Sequence, residues 1–270
     1  MKKIIVLLSI LLMLAGCSAS KEAENTEPKP LSVEELYNLG MDAYNAKDYE
    51  KAYEYLTQYV EAGGTDAYYK LGNMYYFGDG VQQDFAKALE CYELAAANGD
   101  GDAMEMAGWC YEQGEGTEAN VEKGFEYYEK GANIGHAGCT SRVGWFYQHG
   151  MAVEKDEAKA LEYYMRAAES GNVWSQRTVG YCYLYGIGAE ADYEKAYNWL
   201  SKAAESGDDW SNLYLADMYY FGLYVDESAE KTKECLEKAV STNNQQIIDT
   251  IKECIADGYY SADVVPDSLK

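Results

Sequence analysis

One spacing of 36 residues organises most of this chain. It is seen first in a set of glycines, at Gly78, Gly114, Gly150, Gly186 and Gly222. The same interval separates the tyrosines Tyr75, Tyr111, Tyr147, Tyr183 and Tyr219, and the lysines Lys87, Lys123, Lys159, Lys195 and Lys231. A period kept over five units is typical of repeat proteins, in which each unit packs mainly against its neighbours. The chain is therefore predicted to form an array, and the repeated glycines to be joints within it.

Each repeat has the pattern of two helices joined by a turn. Leu71 and Tyr75 are four residues apart, so they lie on one face of a first helix. Gly78 is placed to end that helix, because glycine tolerates the left-handed conformation. Asp84 is placed to cap the second helix, and its equivalents are also capping residues: Asp48, Asn120, Asp156, Asp192 and Ser228. No proline occurs from 31 to 258, which suits a continuous helical body.

The residues that recur within a unit carry a family resemblance. In the first full copy they are Leu71-Gly72, Tyr75, Gly78, Gly80-Val81, Asp84, Lys87-Ala88, Tyr92, Ala95-Ala96 and Gly99. This set resembles the Sel-one-like repeat, a relative of the tetratricopeptide repeat, and it covers about residues 65–243 in five units. The resemblance implies an all-α fold, a right-handed solenoid of αα-hairpins whose first helices line a concave groove.

Some units depart from the repeat pattern. Ala107 and Thr117 replace the leucine and valine of the second unit, and the third unit has the bulkier turn Met151-Ala152-Val153. Leu223-Tyr224 stands where the fifth unit should have its second glycine, so that turn is expected to be degenerate.

The two ends of the array are predicted to differ from its middle. Residues 31–64 form a hairpin whose loop is four residues shorter, as in an ordinary tetratricopeptide unit. Residues 244–258 are predicted to be a single capping helix, followed by a tail over 259–270. Such caps are needed because terminal repeats otherwise expose an apolar face.

The N-terminus is predicted to be a lipoprotein signal. Two lysines precede a short apolar run, and the run ends in Leu14-Ala15-Gly16-Cys17, which resembles the bacterial lipobox. We expect a signal peptide over 1–16, lipidation of Cys17, and a polar tether over 17–30 that holds an extracytoplasmic protein at a bacterial envelope membrane. An ordinary secretory signal with an incidental cysteine is the alternative.

The charge of the chain limits its partners. The formal net charge is −24, with 46 acidic residues against 22 basic ones. This argues against binding nucleic acid or anionic lipid through a basic patch, and it favours a cationic or neutral ligand.

No residue set points to catalysis, a metal or a cofactor. His136 and Cys139 are three residues apart at a helix boundary, but they lack further ligand-like neighbours. Ser228 and Lys231 match a Ser-x-x-Lys spacing, yet both occupy ordinary repeat positions, a helix cap and the repeated lysine. We therefore predict a protein without catalytic residues or cofactor.

Six cysteines remain after Cys17. Cys91 and Cys110 are 19 residues apart, as are Cys235 and Cys254, and the two pairs occupy the same repeat positions. Each pair is either a disulfide between successive repeats or two free thiols that fill the core.

The variable positions of the first helices are the candidate ligand surface. One position holds Asn73, Trp109, Trp145, Tyr181 and Asp217, a second holds Tyr76, Glu112, Gln148, Leu184 and Tyr220, and the next holds Phe77, Gln113, His149, Tyr185 and Phe221. The groove candidates are the aromatic residues Tyr76, Phe77, Trp109, Trp145, Tyr181, Tyr185 and Tyr220. Such rings either read a ligand or pack between repeats.

The expected function is a non-catalytic scaffold that binds a protein or peptide, with a basic ligand favoured by the acidic body. The alternative is a cell-wall-glycan binder, or an envelope hydrolase related to β-lactams or peptidoglycan, that uses the same groove.

Overall fold

The computed structural model describes residues 30–269. Within that range the chain forms thirteen α-helices and one short 3-10 helix, and no strand. The predicted signal peptide, Cys17 and the tether up to residue 29 lie outside the described residues.

The helices have similar lengths and follow one another closely. Their bounds are α1 Val33–Asn45, α2 Tyr49–Glu61, α3 Tyr68–Phe77, α4 Phe85–Ala97, α5 Gly101–Gln113, α6 Val121–Asn133, α7 Ala137–His149, α8 Glu157–Glu169, α9 Val173–Tyr185, α10 Tyr193–Glu205, α11 Asp209–Tyr220, α12 Ala229–Val240 and α13 Gln245–Ala256, with the 3-10 helix at Asp267–Leu269.

Each helix packs against the next one in the chain. The odd-numbered helix of each hairpin contacts its even-numbered partner, and that partner contacts the first helix of the following hairpin. First helices also contact each other, as α5 does α7 and α9 does α11. This succession of neighbour contacts is the arrangement of a helical-hairpin solenoid.

The predicted caps set the helix bounds. The Asp84 carboxylate accepts the backbone N–H groups of Ala86 and Lys87 at 3.1 Å each. The equivalent side chains cap their helices in the same way: Asn120, Asp156, Asp192 and Ser228. Asp48 differs, because its carboxylate makes no cap hydrogen bond and instead accepts from Lys51 Nζ at 2.5 Å. Gly78 is left-handed as predicted, with φ at 76°.

The glycine that follows the repeated leucine leaves room for a large side chain on the second helix. A Cβ at Gly72 would lie 2.6 Å from Cε1 of Tyr92, a distance that no real carbon tolerates. Gly108 and Gly144 face Tyr128 and Tyr164 in the same way. The two helices of a hairpin therefore approach closely because a ring of one lies over a bare backbone of the other.

The second turn glycine has a different role, and the departures from it keep its conformation. At Gly80 a Cβ would overlap the backbone of Tyr49, so this turn rests on the preceding hairpin. Ala152 and Tyr224 occupy the same position with φ of 56° and 67°. The fifth turn thus keeps the left-handed backbone although its glycine is missing, and it carries the strain that a side chain adds there.

The repeated lysine and tyrosine contact each other in all five units. The lysine Nζ lies over the ring of the tyrosine twelve residues earlier, at 5.2, 3.9, 4.1, 5.0 and 4.8 Å from the ring centroid, for Lys87, Lys123, Lys159, Lys195 and Lys231 respectively. These are cation–π contacts within a hairpin. The strict spacing of the two residue types therefore has a structural cause.

Candidate functional site

The candidate binding face consists of the repeat position of Trp109, Trp145 and Tyr181 on three successive first helices, together with the residues around it. We call it the first-helix face. Trp109 is 37% exposed, while Trp145 and Tyr181 are half-buried. The rings are therefore accessible from one side.

Arg142 fills the space between the two tryptophans. Its guanidinium carbon lies 5.7 Å from the Trp109 ring and 4.9 Å from the Trp145 ring, and its Nη2 donates to Glu112 Oε2. Glu112 also accepts the Tyr128 hydroxyl at 3.0 Å. The two rings and the guanidinium thus form a tryptophan–arginine–tryptophan stack.

A cavity of about 300 Å³ opens beside Trp145. Its lining combines two indole rings, a carboxylate, a guanidinium and small polar residues: Glu105, Gly138, Ser141, Arg142, Trp145, Asn172 and Trp174. Trp174 is 40% exposed at its edge. The mixture of aromatic walls and one carboxylate suits an extended side chain with an apolar stem and a positive end.

Glu105, at the wall of this cavity, belongs to a small polar cluster. Burial raises the pKa of Glu105, and the neighbouring His136 opposes the rise. His136 caps α7, because its Nδ1 accepts the N–H of Cys139 at 3.2 Å, and its Nε2 lies 3.1 Å from Asp102 Oδ1. The donor atoms of Asp102, Glu105 and His136 lie within 4.8 Å of one another. Both ring nitrogens of the histidine have protein partners, and the His136 ring caps α7.

Tyr181 and Tyr185 form a second aromatic group further along the face. Their ring centroids are 4.7 Å apart, and Tyr214 of α11 lies 5.4 Å from Tyr181. Tyr214 joins α9 to α11, so Tyr181 has both an exposed side and a packing role.

Tyr76 and Phe77 lie at the end of α3, in contact with the start of α4. The Tyr76 ring is 4.9 Å from Phe77 and 5.2 Å from Phe85, and its hydroxyl donates to Glu115 at 2.6 Å. Phe77 is 62% exposed. Tyr76 is therefore held on three sides, and Phe77 is the accessible ring of the two.

The repeat position of Tyr76 belongs largely to the core in the central units. Gln148 accepts the Tyr164 hydroxyl at 2.7 Å, as Glu112 accepts that of Tyr128. Leu184 is buried at the same position, and there the tyrosine of the second helix is replaced by Leu200. Variation at this position thus follows the partner inside the hairpin, not a ligand.

The C-terminal segment, residues 259–269, covers the first-helix face in the last repeat. Tyr260 is 3% exposed and its hydroxyl donates to Asp217 Oδ1 at 2.5 Å. Asp217 is the repeat equivalent of Trp145. The Tyr260 ring lies 5.3 Å from Tyr220, whose hydroxyl accepts the Ser261 N–H at 3.1 Å. Tyr220 was predicted to contact a ligand, but the C-terminal segment of the same chain covers it.

Asp217 is buried under this segment. Burial raises its pKa to about 6, although hydrogen bonds from Tyr260 and Tyr259 oppose the rise. A carboxyl group with this pKa takes up a proton in mildly acidic solution.

Of the two alternatives for the cysteine pairs, the structure has the free thiols. All six cysteines of the described chain are free thiols. Cys91 packs against the apolar cluster of the first hairpins, around Leu56 and Leu71, whereas Cys110 belongs to a separate cluster around Tyr92.

The two cysteines of the second pair belong to one apolar cluster, that of the later repeats, and both are free thiols, Cys235 buried and Cys254 half-buried. The equal 19-residue spacings therefore reflect the repeat register and not covalent pairing.

The Ser-x-x-Lys spacing is structural as well. Ser228 Oγ caps α12 by accepting the Lys231 N–H at 3.3 Å, and Lys231 Nζ lies over the Tyr219 ring.

The sequence analysis did not identify Arg142 or the tyrosines of the C-terminal segment as residues of the first-helix face. Arg142 is one of only three arginines and lies one turn before Trp145, which is the signal that could have found it.

The comparisons with known proteins agree with this architecture. The model of the Sel1 repeat matches residues 36–63, 65–100, 101–136, 139–172, 175–208 and 211–243. The chain belongs to the Sel1 repeat family. The family match includes the first hairpin, which the sequence had set apart as tetratricopeptide-like.

Two solved structures are similar to this Sel1 repeat protein. One is a protective antigen of uropathogenic Escherichia coli strains that displays an SLR fold, at 30% identity and a TM-score of 0.76, covering 86% of this chain and 50% of that one. This chain therefore spans about half the length of the antigen. The other is a Sel1 repeat protein from Oxalobacter formigenes, at 26% identity and a TM-score of 0.77, covering 87% and 93%. A search of the curated proteins finds no match.

The membrane anchor has its own match. Residues 1–18 match a prokaryotic membrane lipoprotein lipid attachment site, and Cys17 is the cysteine among them. This Sel1 repeat protein is a membrane-anchored bacterial lipoprotein. Among the described residues, no helix is long and apolar enough to cross a membrane.

Proposed function

We propose that this lipoprotein is a non-catalytic scaffold that binds a segment of a partner protein along the first-helix face. The observation that carries the proposal is the C-terminal segment of the chain itself. In the last repeat that segment lies on this face, with the Tyr260 hydroxyl bonded to Asp217. The segment consists of turns and bends and ends in a short 3-10 helix, so the face accepts a piece of chain outside regular α-helices. In the central repeats the same face is partly exposed among the described residues.

The central repeats supply the anchor points for such a segment. Trp109 and Trp145 are fixed by Arg142 between them, so their rings lose little entropy when a ligand packs on them. The cavity beside Trp145 can take one side chain of the partner. Large rings held in advance are the usual hot spots of protein interfaces.

A lysine or arginine next to an apolar residue is the partner chemistry that fits best. Glu105 offers a carboxylate at the cavity wall, and Trp145 and Trp174 offer ring faces for an alkyl stem or a cation. Arg142 does not oppose this strongly because Glu112 already pairs with it. The net charge of −24 would attract a basic segment from a distance.

The test is a comparison of single variants in affinity capture from envelope extracts, with the lipoprotein immobilised. Trp145→Ala should weaken binding of the captured partner by roughly 30-fold, which corresponds to roughly 2 kcal/mol. Tyr193→Ala is the control, because it removes an aromatic ring that is 42% exposed but lies at the start of a second helix, away from the first-helix face.

Two results would overturn the proposal. One is equal loss of binding with Trp145→Ala and Tyr193→Ala while circular dichroism shows both variants folded. The other is retention by purified cell-wall fragments in place of any protein, which would favour the glycan-binding alternative. Association that slows as salt rises would support a basic partner, since salt screens exposed charges.

A further inference from the structure

We propose that the C-terminal segment closes the end of the first-helix face in mildly acidic solution and loosens its hold on that face as the pH rises. The segment begins just after α13, at Gly258, whose φ of 72° takes the chain out of the helix. Apart from its chain neighbours, no atom of the described residues lies within 4 Å of the position that a Cβ would occupy on Gly258. The start of the segment is therefore a turn with space around it, at which the segment can move away from the array.

The C-terminal segment covers the face mainly through side chains. The Ser261 N–H donates to the Tyr220 hydroxyl at 3.1 Å, and the Tyr260 ring lies 5.3 Å from the Tyr220 ring. Val264 and Val265 are 1% and 4% exposed. The segment forms no helix before the short 3-10 helix at its end, so these contacts hold it in place.

Asp217 of α11 carries the carboxyl group that this cover buries. The residue is 9% exposed, and its Oδ1 accepts the Tyr260 hydroxyl at 2.5 Å. Its side-chain hydrogen-bond donors are the hydroxyls of Tyr260 and Tyr259. Neutral donors offset only part of the hydration that a carboxylate loses on burial, so the charged form is disfavoured while the segment is closed. Lifting the segment would return water to this carboxyl group.

The groups around Asp217 give it no positive partner. The titratable side chains that interact with it come from three helices and from the C-terminal segment: Tyr185 of α9, Tyr214 of α11, Cys254 of α13, and Tyr259 and Tyr260. Burial raises the pKa of all five, so they stay neutral up to about pH 8. None of these described neighbours is basic, and the two histidines of the chain lie at the ends of α7, two repeats earlier. Asp217 is therefore the group here whose charge changes in mildly acidic solution.

The closed form binds the Asp217 proton more tightly than the open form does. Burial raises the pKa of Asp217 to about 6, whereas the ordinary value of an aspartate is 3.8. Protonation therefore stabilises the closed form, and this stabilisation is complete below the open-form pKa and is lost as the pH rises through 6. At the far end of the segment Lys233 of α12 pairs with Asp267, with 3.3 Å between Nζ and Oδ2. The difference of roughly two pKa units limits the change in the closing equilibrium to about a hundredfold.

An open segment lengthens the first-helix face. For a partner bound along that face, which rests on the proposed function, opening would add Tyr220 and Asp217 to the partly exposed rings of the central repeats. An ionised Asp217 would then attract a partner segment that carries positive charge. The lipoprotein would thus offer a longer and more acidic face at neutral pH than in mildly acidic solution.

Hydrogen exchange of the full-length lipoprotein, followed by mass spectrometry between pH 4.5 and pH 8, tests the proposal without any partner. Exchange rates are corrected for the intrinsic effect of pH on amide exchange. Protection of the amides of residues 259–265 should fall about 30-fold from pH 4.5 to pH 8. Protection of the central repeats, residues 101–172, should change less than about threefold. Because no partner is present, a failure here leaves the proposed function standing.

Two aspartate variants separate the buried carboxyl group from an exposed one. Asp217→Asn cannot ionise, so the segment should keep its low-pH protection at pH 8. Asp263→Asn removes an exposed carboxyl group of the segment itself and should keep the response of about 30-fold. The proposal is overturned if wild-type protection is flat or rises with pH, if folded Asp217→Asn keeps the response, or if the central repeats lose protection in parallel. The wild-type profile decides the case in which Asp217→Asn does not fold.

Discussion

The central repeats, residues 101–172, and the last repeat, residues 211–243, share one 36-residue pattern and use it in opposite ways. In the central repeats the first-helix face is open, with Trp109 and Trp145 partly exposed. In the last repeat the same face is covered by Tyr260. The space beside the repeated tyrosine differs in the opposite sense. Tyr127 fills this space in the second unit, whereas a cavity lies beside Cys235 at the equivalent place in the last repeat.

The difference shows that the repeat pattern determines the helical hairpin, while the residues on its surfaces vary from unit to unit. Capping residues, the glycine of the turn and the lysine–tyrosine contact are the same in both regions. A change from tyrosine to cysteine, or the addition of a dozen residues after the last helix, alters which side is open without altering the hairpin. Binding sites of a repeat protein can therefore differ from unit to unit on one scaffold.

The largest effect is expected from removing the ring that covers the last repeat. Tyr260→Ala should lower the free energy of unfolding by about 4 kcal/mol, because it removes a buried ring and leaves the buried Asp217 carboxyl without its hydrogen bond from Tyr260. Urea unfolding measures this. Tyr259→Ala, which removes a 41% exposed ring that also hydrogen-bonds Asp217, is the comparison and should cost about 2 kcal/mol. Equal losses in the two variants would show that the segment is not a specific cover.

A smaller effect is expected in the central repeats. Glu112→Ala removes the shared acceptor of Arg142 and Tyr128 and should cost about 3 kcal/mol, because it leaves a mostly buried cation and a buried hydroxyl without a partner. Gln148→Ala is the matched variant one repeat later, where the tyrosine hydroxyl alone loses its acceptor. It should cost about 1 kcal/mol, and a cost as large as that of Glu112→Ala would contradict the role of charge.

The pH dependence of Asp217 separates the last repeat from the others. Its folded pKa of about 6 lies above the ordinary aspartate value of 3.8, so the folded protein binds this proton more tightly than the unfolded chain. The stabilisation is complete below the unfolded pKa and is lost as pH rises through 6. Relative to Asp217→Asn, the wild type should gain on the order of 2 kcal/mol between pH 7 and pH 4. A difference that stays flat in urea unfolding over this range would contradict the buried state of the carboxyl.

The smallest effect is expected at the two turns that lack glycine. Ala152→Gly should stabilise the protein by about 1 kcal/mol, because it relieves a left-handed alanine with φ at 56°. Tyr224→Gly relieves the same backbone but loses a ring contact with Tyr197 at 5.8 Å, so its gain should be smaller. Thermal unfolding of both variants measures the difference, and destabilisation by Ala152→Gly would show that the turn is not strained.

Much of the fold could be predicted from the sequence because the repeat multiplies each local signal. The caps at Asp84, Asn120, Asp156, Asp192 and Ser228 and the left-handed Gly78 are where the period places them. The same register left two alternatives for the cysteine pairs, bridges or free thiols, and the structure has free thiols. A shared register puts residues at equal spacing, but equal spacing alone does not bring two sulfur atoms within bonding distance.

The sequence by itself determined the helical hairpins, their order and the lipid-anchored start of the chain, because these depend on residues close together along the chain. Only the tertiary structure decided which variable positions are surface. Arg142 reaches between two tryptophans one repeat apart, Glu112 points into the core to accept the Tyr128 hydroxyl, and Tyr260 contacts Asp217, 43 residues earlier in the chain. Each of these contacts joins groups from different helices or segments, and their partners follow from packing in three dimensions and not from any local preference.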